Sequence, residues 1–218
     1  MRLPTTARSF GPTFSTLVVA GVLLAGCAGE STAPTAAQRT SQLRTSPFVP
    51  MDAQKALRGL GDGTYSFKID PEKNQSLSLG ASRLDIPADA ICKLGRSSYG
   101  SDHWDEECDT QKRRFTITAV VRDAATDHPS VNFEPALRFS PDKKVMLYLH
   151  VTNDATLDAS RVVKYCNAKG CVDESVTDAS LTSSVDLVNR VVFRRIKHFS
   201  GYLVSSYSEA AEALDSLF

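Results

Sequence analysis

Two stretches alternate strictly between apolar and mixed residues. Phe115, Ile117, Ala119 and Val121 alternate with Thr116, Thr118 and Val120. Val145, Leu147, Leu149 and Val151 alternate with Met146, Tyr148, His150 and Thr152. A period of two, carried by β-branched and aromatic side chains, is the pattern of a strand with one buried face. The same reading makes extended segments of Thr64–Asp70, Ser76–Ile86, Val131–Phe139, Arg161–Asn167, Val185–Ile196 and Gly201–Ser206. Turn-rich pieces separate them, such as Asp70-Pro71-Glu72-Lys73-Asn74 and Ser140-Pro141-Asp142. From about Gly63 to Tyr207 no stretch keeps a helical period over three turns. The expectation is an all-β chain, an antiparallel β-sandwich or barrel. A short C-terminal helix follows, because Ser206 and Glu209 form a capping-box pair ahead of Ala210, Ala213, Leu214 and Leu217. Asp52–Leu60 could add a turn or two of helix.

The N-terminal part has a different character. Arg2 and Arg8 precede an apolar run of ten residues, Leu17 to Gly26. A membrane-spanning helix needs about 20 residues, so the run reads as a secretory signal. It ends in Leu24-Ala25-Gly26-Cys27, which resembles the lipobox of bacterial lipoproteins. The resemblance implies cleavage before Cys27, lipid on Cys27, and attachment to the membrane through that lipid. Ala28, rather than Asp, resembles an outer-membrane address, facing the periplasm or the cell surface. From Ala28 to about Pro50 the chain is Ser-, Thr-, Ala- and Pro-rich and reads as a tether. The domain assignment is therefore 1–26 signal, 27–60 lipidated Cys and tether, and 61–218 sandwich. Cleavage would remove two basic residues and no acidic one, leaving 23 basic against 25 acidic groups. That balance gives no support to nucleic-acid binding.

Four cysteines remain: Cys92, Cys108, Cys166 and Cys171. An even number in an exported domain points to disulfides, and four allow three pairings. The most local is Cys92–Cys108 with Cys166–Cys171. A zinc site is the rival, but no CxxC pair is present and His103 is the only obvious extra ligand.

Catalytic signatures are absent: no G-x-S-x-G, Walker loop, G-x-G-x-x-G or H-E-x-x-H occurs. Asp102, Asp105, Glu106, Glu107 and Asp109 crowd around His103 and Trp104. Such a loop could bind calcium or, through Trp104, a sugar. It lacks the ordered spacing of an EF-hand, so a solvated loop held by a disulfide is the simpler expectation. No cofactor is expected.

Near the end stands Lys197-His198-Phe199-Ser200-Gly201-Tyr202. His-Phe-Ser with an aromatic residue two positions on resembles the end of the ZU-five domain, the β-sandwich of ankyrins and netrin receptors. Leu84-Asp85-Ile86-Pro87-Ala88-Asp89-Ala90-Ile91 resembles the early segment of that family, with Asp89 where the family has Gly. The resemblance runs from about Leu77 to Tyr207; the insertion between Cys92 and Cys108 lies outside it. It implies a protein-binding module. In some members the His-Phe-Ser peptide cleaves itself, and here Ser200 would attack the Phe199 carbonyl with His198 as base, Gly201 easing the turn. The same residues could equally build a last hairpin that never cleaves. The expectation is a non-enzymatic, lipid-anchored scaffold for an envelope protein or polysaccharide, with self-cleavage at Phe199–Ser200 as the alternative.

Overall fold

The computed structural model describes residues 41–46, 61–93, 95–152 and 157–206, all within one compact unit, Gln38–Phe218. The signal segment, Cys27, Asp52–Leu60 and the C-terminal helix of the sequence reading lie outside the described residues. Among those residues no helix is long and apolar enough to cross a membrane.

Among the described residues, twelve strands form two six-stranded sheets. They are β1 (Gln42–Leu43), β2 (Gly63–Ile69), β3 (Gln75–Leu79), β4 (Ser82–Ile86), β5 (Phe115–Arg122), β6 (Ser130–Glu134), β7 (Val145–His150), β8 (Arg161–Asn167), β9 (Gly170–Val172), β10 (Ser184–Asp186), β11 (Val191–Ile196) and β12 (Gly201–Ser206). One sheet runs β1-β10-β11-β7-β4-β3 and the other β2-β5-β6-β12-β8-β9. Every pairing is antiparallel except β1 with β10. The all-β sandwich expected from alternation is what the chain forms. Ile117, Ala119 and Val121 of β5 and Val145, Leu147 and Leu149 of β7 share one buried core. Of the intervening residues, Thr116 is exposed and Thr118 and Val120 are half-exposed.

Three extended segments end earlier than the sequence pattern predicts. Ser76–Ile86 is a hairpin, β3 to β4, turning at Gly80, whose φ of 68° suits a residue without Cβ. Val185–Ile196 is another, β10 to β11, where the Asp186 carboxylate accepts from the amides of Val188 and Asn189. Val131–Phe139 breaks after Glu134, because Pro135 has no N–H to continue the ladder. Alternation reveals which residues share a face, but a two-residue turn inside a run leaves that signal almost unchanged.

Part of the stretch read as a tether is among the described residues. Ser41–Ser46 lies along the domain: β1 pairs with β10, and the Ser46 amide and hydroxyl both reach the Asp186 carboxylate at 2.7 and 2.8 Å. The polar composition that reads as a tether also supplies hydroxyl and amide groups that can dock on a sheet edge.

Candidate functional site: the arch between the sheets

β11 and β12 belong to different sheets, so Lys197–Ser200 is not a hairpin turn but an arch that crosses from one sheet to the other. This corrects the hairpin expectation, and it explains why His198 and Phe199 are both 0% exposed. β6 and the segment after Pro135 tie the arch down. Phe199 N–H donates to Leu137 O at 2.8 Å, Phe139 N–H to Lys197 O at 2.8 Å, and Phe133 N–H to Ser200 O at 3.0 Å. Successive side chains then point to opposite sides. Phe199 enters the apolar core, stacked on Phe133 at 4.6 Å and edge-on to Phe139 at 4.9 Å. His198 enters a second, polar enclosure.

That enclosure is built from four separate parts of the chain. The imidazole stacks on Trp104 at 4.1 Å and meets the edges of Tyr165 and Tyr99 at 4.8 and 6.0 Å. Its Nε2 is 3.1 Å from Glu174 Oε1, and Glu174 Oε2 is paired with Arg194. Arg194 is almost fully buried, reaches from β11 to the Val163 carbonyl of β8 at 2.9 Å, and so links the two sheets. Burial pushes the Glu174 carboxyl up, but the His198 hydrogen bond and the Arg194 charge outweigh it and leave the group below its ordinary range. Glu174 thus stays ionised in a place where a lone carboxylate would be costly.

Two phenols close on the arch itself. Tyr202 is fully buried, donates to His198 O at 2.6 Å and lies 3.4 Å from His198 Nδ1. Burial holds its pKa well above the usual phenol range. Tyr99 donates to Phe199 O at 2.6 Å and lies 3.5 Å from His198 Nδ1. Burial raises its pKa too, opposed by a hydrogen bond with the Ser200 side chain. The peptide singled out in the sequence therefore carries a phenol on its carbonyl oxygen. The polar partners of the His198 ring nitrogens are Glu174, Tyr99 and Tyr202.

Tyr99 and Trp104 come from the insertion. Its ends are joined by Cys92–Cys108, with an S–S distance of 1.97 Å, and Lys93 N–H donates to Asp109 O at 2.8 Å. Lys197, buried in the arch, pairs with Asp105 and lies 2.5 Å from Asp178. Burial lowers the Lys197 pKa, yet these two carboxylates more than compensate and raise it. Arg138 donates to the carbonyls of Glu106 and Glu107. The acidic loop is thus fastened to buried cations. Glu106 lies 2.9 Å from His103 Nδ1, and Asp102 accepts from Ser101. Among the described residues no three His, Cys, Asp or Glu side chains converge as a metal set, so Asp102, Asp105, Glu106 and Asp109 are not brought together.

The second disulfide flanks the other side. Cys166 and Cys171, 2.00 Å apart at sulfur, pair across the β8–β9 hairpin. Gly201 pairs with Cys166, and a Cβ at Gly201 would stand 3.0 Å from the Cys166 carbonyl oxygen. Close approach to β8 is what calls for glycine there, rather than the freedom to turn. Glu174, Arg194 and Tyr99 carry no sequence signal as partners of His198. Each is one polar residue in an ordinary context, and only the fold joins them. No family model, curated protein or solved structure matches the chain.

Proposed function

We propose that this chain is a lipid-anchored envelope protein whose ZU-five-like sandwich is an interaction module, and that it binds through the end surrounding His198. One observation carries the reading: both disulfides staple loops that converge on this end, and exposed apolar residues ring it. Tyr99 is 42% exposed, and Val172 and Val176, two residues either side of Glu174, are 54% and 64% exposed. Rigid, disulfide-held loops lose little entropy when they bind. Asp102, Glu107 and Asp109 follow Tyr99 in the insertion and Asp173 follows Val172 in the chain, which favours a protein partner with an apolar centre and a basic rim. A photocrosslinking residue at Val172 or Val176, compared with one at Leu187, tests this in cells. A discrete adduct at the first two sites is expected, the one at Val172 being lost in Val176→Asp; equal labelling at all three would sink the proposal. An adduct that is polysaccharide would replace the protein partner. The lipid part is tested separately: Cys27→Ser should move the protein from the membrane to the soluble fraction.

A second reading, self-cleavage between Phe199 and Ser200, is favoured by the Tyr99 hydroxyl on the Phe199 carbonyl. A donor at that oxygen would stabilise the charge that develops when a nucleophile adds. Intact mass of the purified protein tests it, since cleavage would release residues 200–218. Ser200→Ala should then abolish the fragment.

A further inference from the structure

We infer that the tip of the β10–β11 hairpin, Leu187-Val188, together with Leu43 of β1, is a lipid-binding surface that dips into the leaflet and sets the sandwich upright on the membrane. The inference rests on the lipid-anchored reading and gives that anchor a second contact.

Three apolar side chains stand in water here. Val188 is 87% exposed, Leu43 59% and Leu187 49%. They are neighbours, since Leu43 pairs with Val185, two residues before Leu187. Single exposed apolar residues are ordinary, but a group of them at a projecting turn marks a surface that meets something apolar. Arg44 follows Leu43 and Arg190 follows the turn, so cations flank the group where lipid phosphates would lie.

The turn is also built to leave water. An amide without a partner is costly in an apolar medium. The Asp186 carboxylate already accepts from the amides of Val188 and Asn189 at 3.1 Å each, and from the Asn189 side chain at 2.7 Å. The tip therefore presents side chains, with these donors turned inward.

Strand direction identifies the occupant. β11 begins just after the tip and ends at the arch, about 20 Å along a strand of six residues. β8 ends at Cys166, opposite Gly201 beside the arch, and Ser41 is bonded to Ala159 ahead of the start of β8. Both registers put the entry of the N-terminal chain at the end of the sandwich that carries the tip. Ser41 follows Cys27 by 14 residues, which reach at most about 50 Å. A lipid on Cys27 thus keeps this end close to the leaflet, where even a weak apolar contact is made repeatedly. The end around His198 then faces away from the membrane, free to meet a partner.

The test uses the full chain reconstituted into vesicles of phosphatidylethanolamine and phosphatidylglycerol. They carry a trace of phospholipid with a diazirine at the end of one acyl chain. After illumination, labelled peptides are mapped by mass spectrometry. Label is expected on Leu187, Val188 and Leu43, and not on Val172 or Val176. Changing Leu187→Asp and Val188→Asp together should cut the label on Leu43 by about tenfold or more, since two apolar side chains no longer enter lipid. Wild-type labelling decides the contact even if that variant fails to fold. A chain that floats with the vesicles, is released by Cys27→Ser and carries no label at the tip overturns the contact and leaves the lipid anchor standing. Wild type that stays in the soluble fraction overturns both. Label confined to Val172 and Val176 overturns the orientation. A photocrosslinking residue at Leu187 that captures a discrete protein in cells and no lipid puts a protein partner in place of the membrane.

Discussion

The two disulfide loops are built in opposite ways. Cys166–Cys171 spans 5 residues of sequence and joins directly opposed positions of a regular hairpin, whose outer strand β9 is exposed throughout. Cys92–Cys108 spans 16 residues and closes an insertion with only one 3-10 turn, Ser101–His103, among its described residues. The hairpin has a ladder to fix its shape. The insertion has no ladder, so side chains do that work: Trp104 on His198, Asp105 on Lys197, and Arg138 on two loop carbonyls. A loop without secondary structure can hold one hydroxyl in place only if its anchors are buried. Here the sandwich supplies them from the arch and from the segment after Pro135 that pairs with it.

Four experiments can break this contrast or sharpen it. The largest effect is expected for Trp104→Ala, which opens a cavity over a fully buried imidazole. A loss of about 3–5 kcal/mol, read from urea unfolding, is in line with large-to-small aromatic changes; a loss below 1 kcal/mol would show that the loop is not anchored through its indole. Removing Cys92–Cys108 by a Ser pair comes next, at about 3 kcal/mol from loop-closure entropy. Hydrogen exchange should then rise across Gly95–Asp109 and stay unchanged in β8 and β9. Removing Cys166–Cys171 should cost at most about 2 kcal/mol, because the shorter loop loses less entropy and the ladder remains. If it costs more than the first, the contrast is inverted. The smallest effect concerns acid. The Glu174 pKa is depressed in the folded state, so its contribution is present above its ordinary value of 4.5 and is lost as pH falls through the lowered one. Glu174→Gln should therefore flatten the fall of stability with pH on the acid side, measured by urea midpoints between pH 3 and 6. An unchanged slope would mean that the carboxylate is not held by His198 and Arg194.

The sequence carries the fold class clearly, because a core between two sheets needs alternation and alternation is visible in a string of letters. It carries the local disulfide pairing as one of three choices. It does not carry the arch. Lys197–Ser200 has the same residues whether β11 and β12 pair or separate, and the choice depends on β6, β7 and β8, which occupy the positions beside them. The site inherits this limit. His198, Phe199 and Ser200 stand out as a motif, but Glu174, Arg194 and Tyr99 reach them only through strand order. The acidic cluster shows the opposite case, being conspicuous as a string yet spent on Lys197, His103 and Ser101 once folded.

The short strand β1 has a mechanical consequence. Ser41 N–H donates to Ala159 O beside β8, Gln42 N–H to Ser183 O, Arg44 N–H to Val185 O, and Ser46 N–H to the Asp186 carboxylate. Tension applied to the chain ahead of Ser41 is thus passed to both sheets within six residues. The load falls across several hydrogen bonds side by side. A tug on the N-terminal side must detach this clasp before it can disturb the rest of the sandwich.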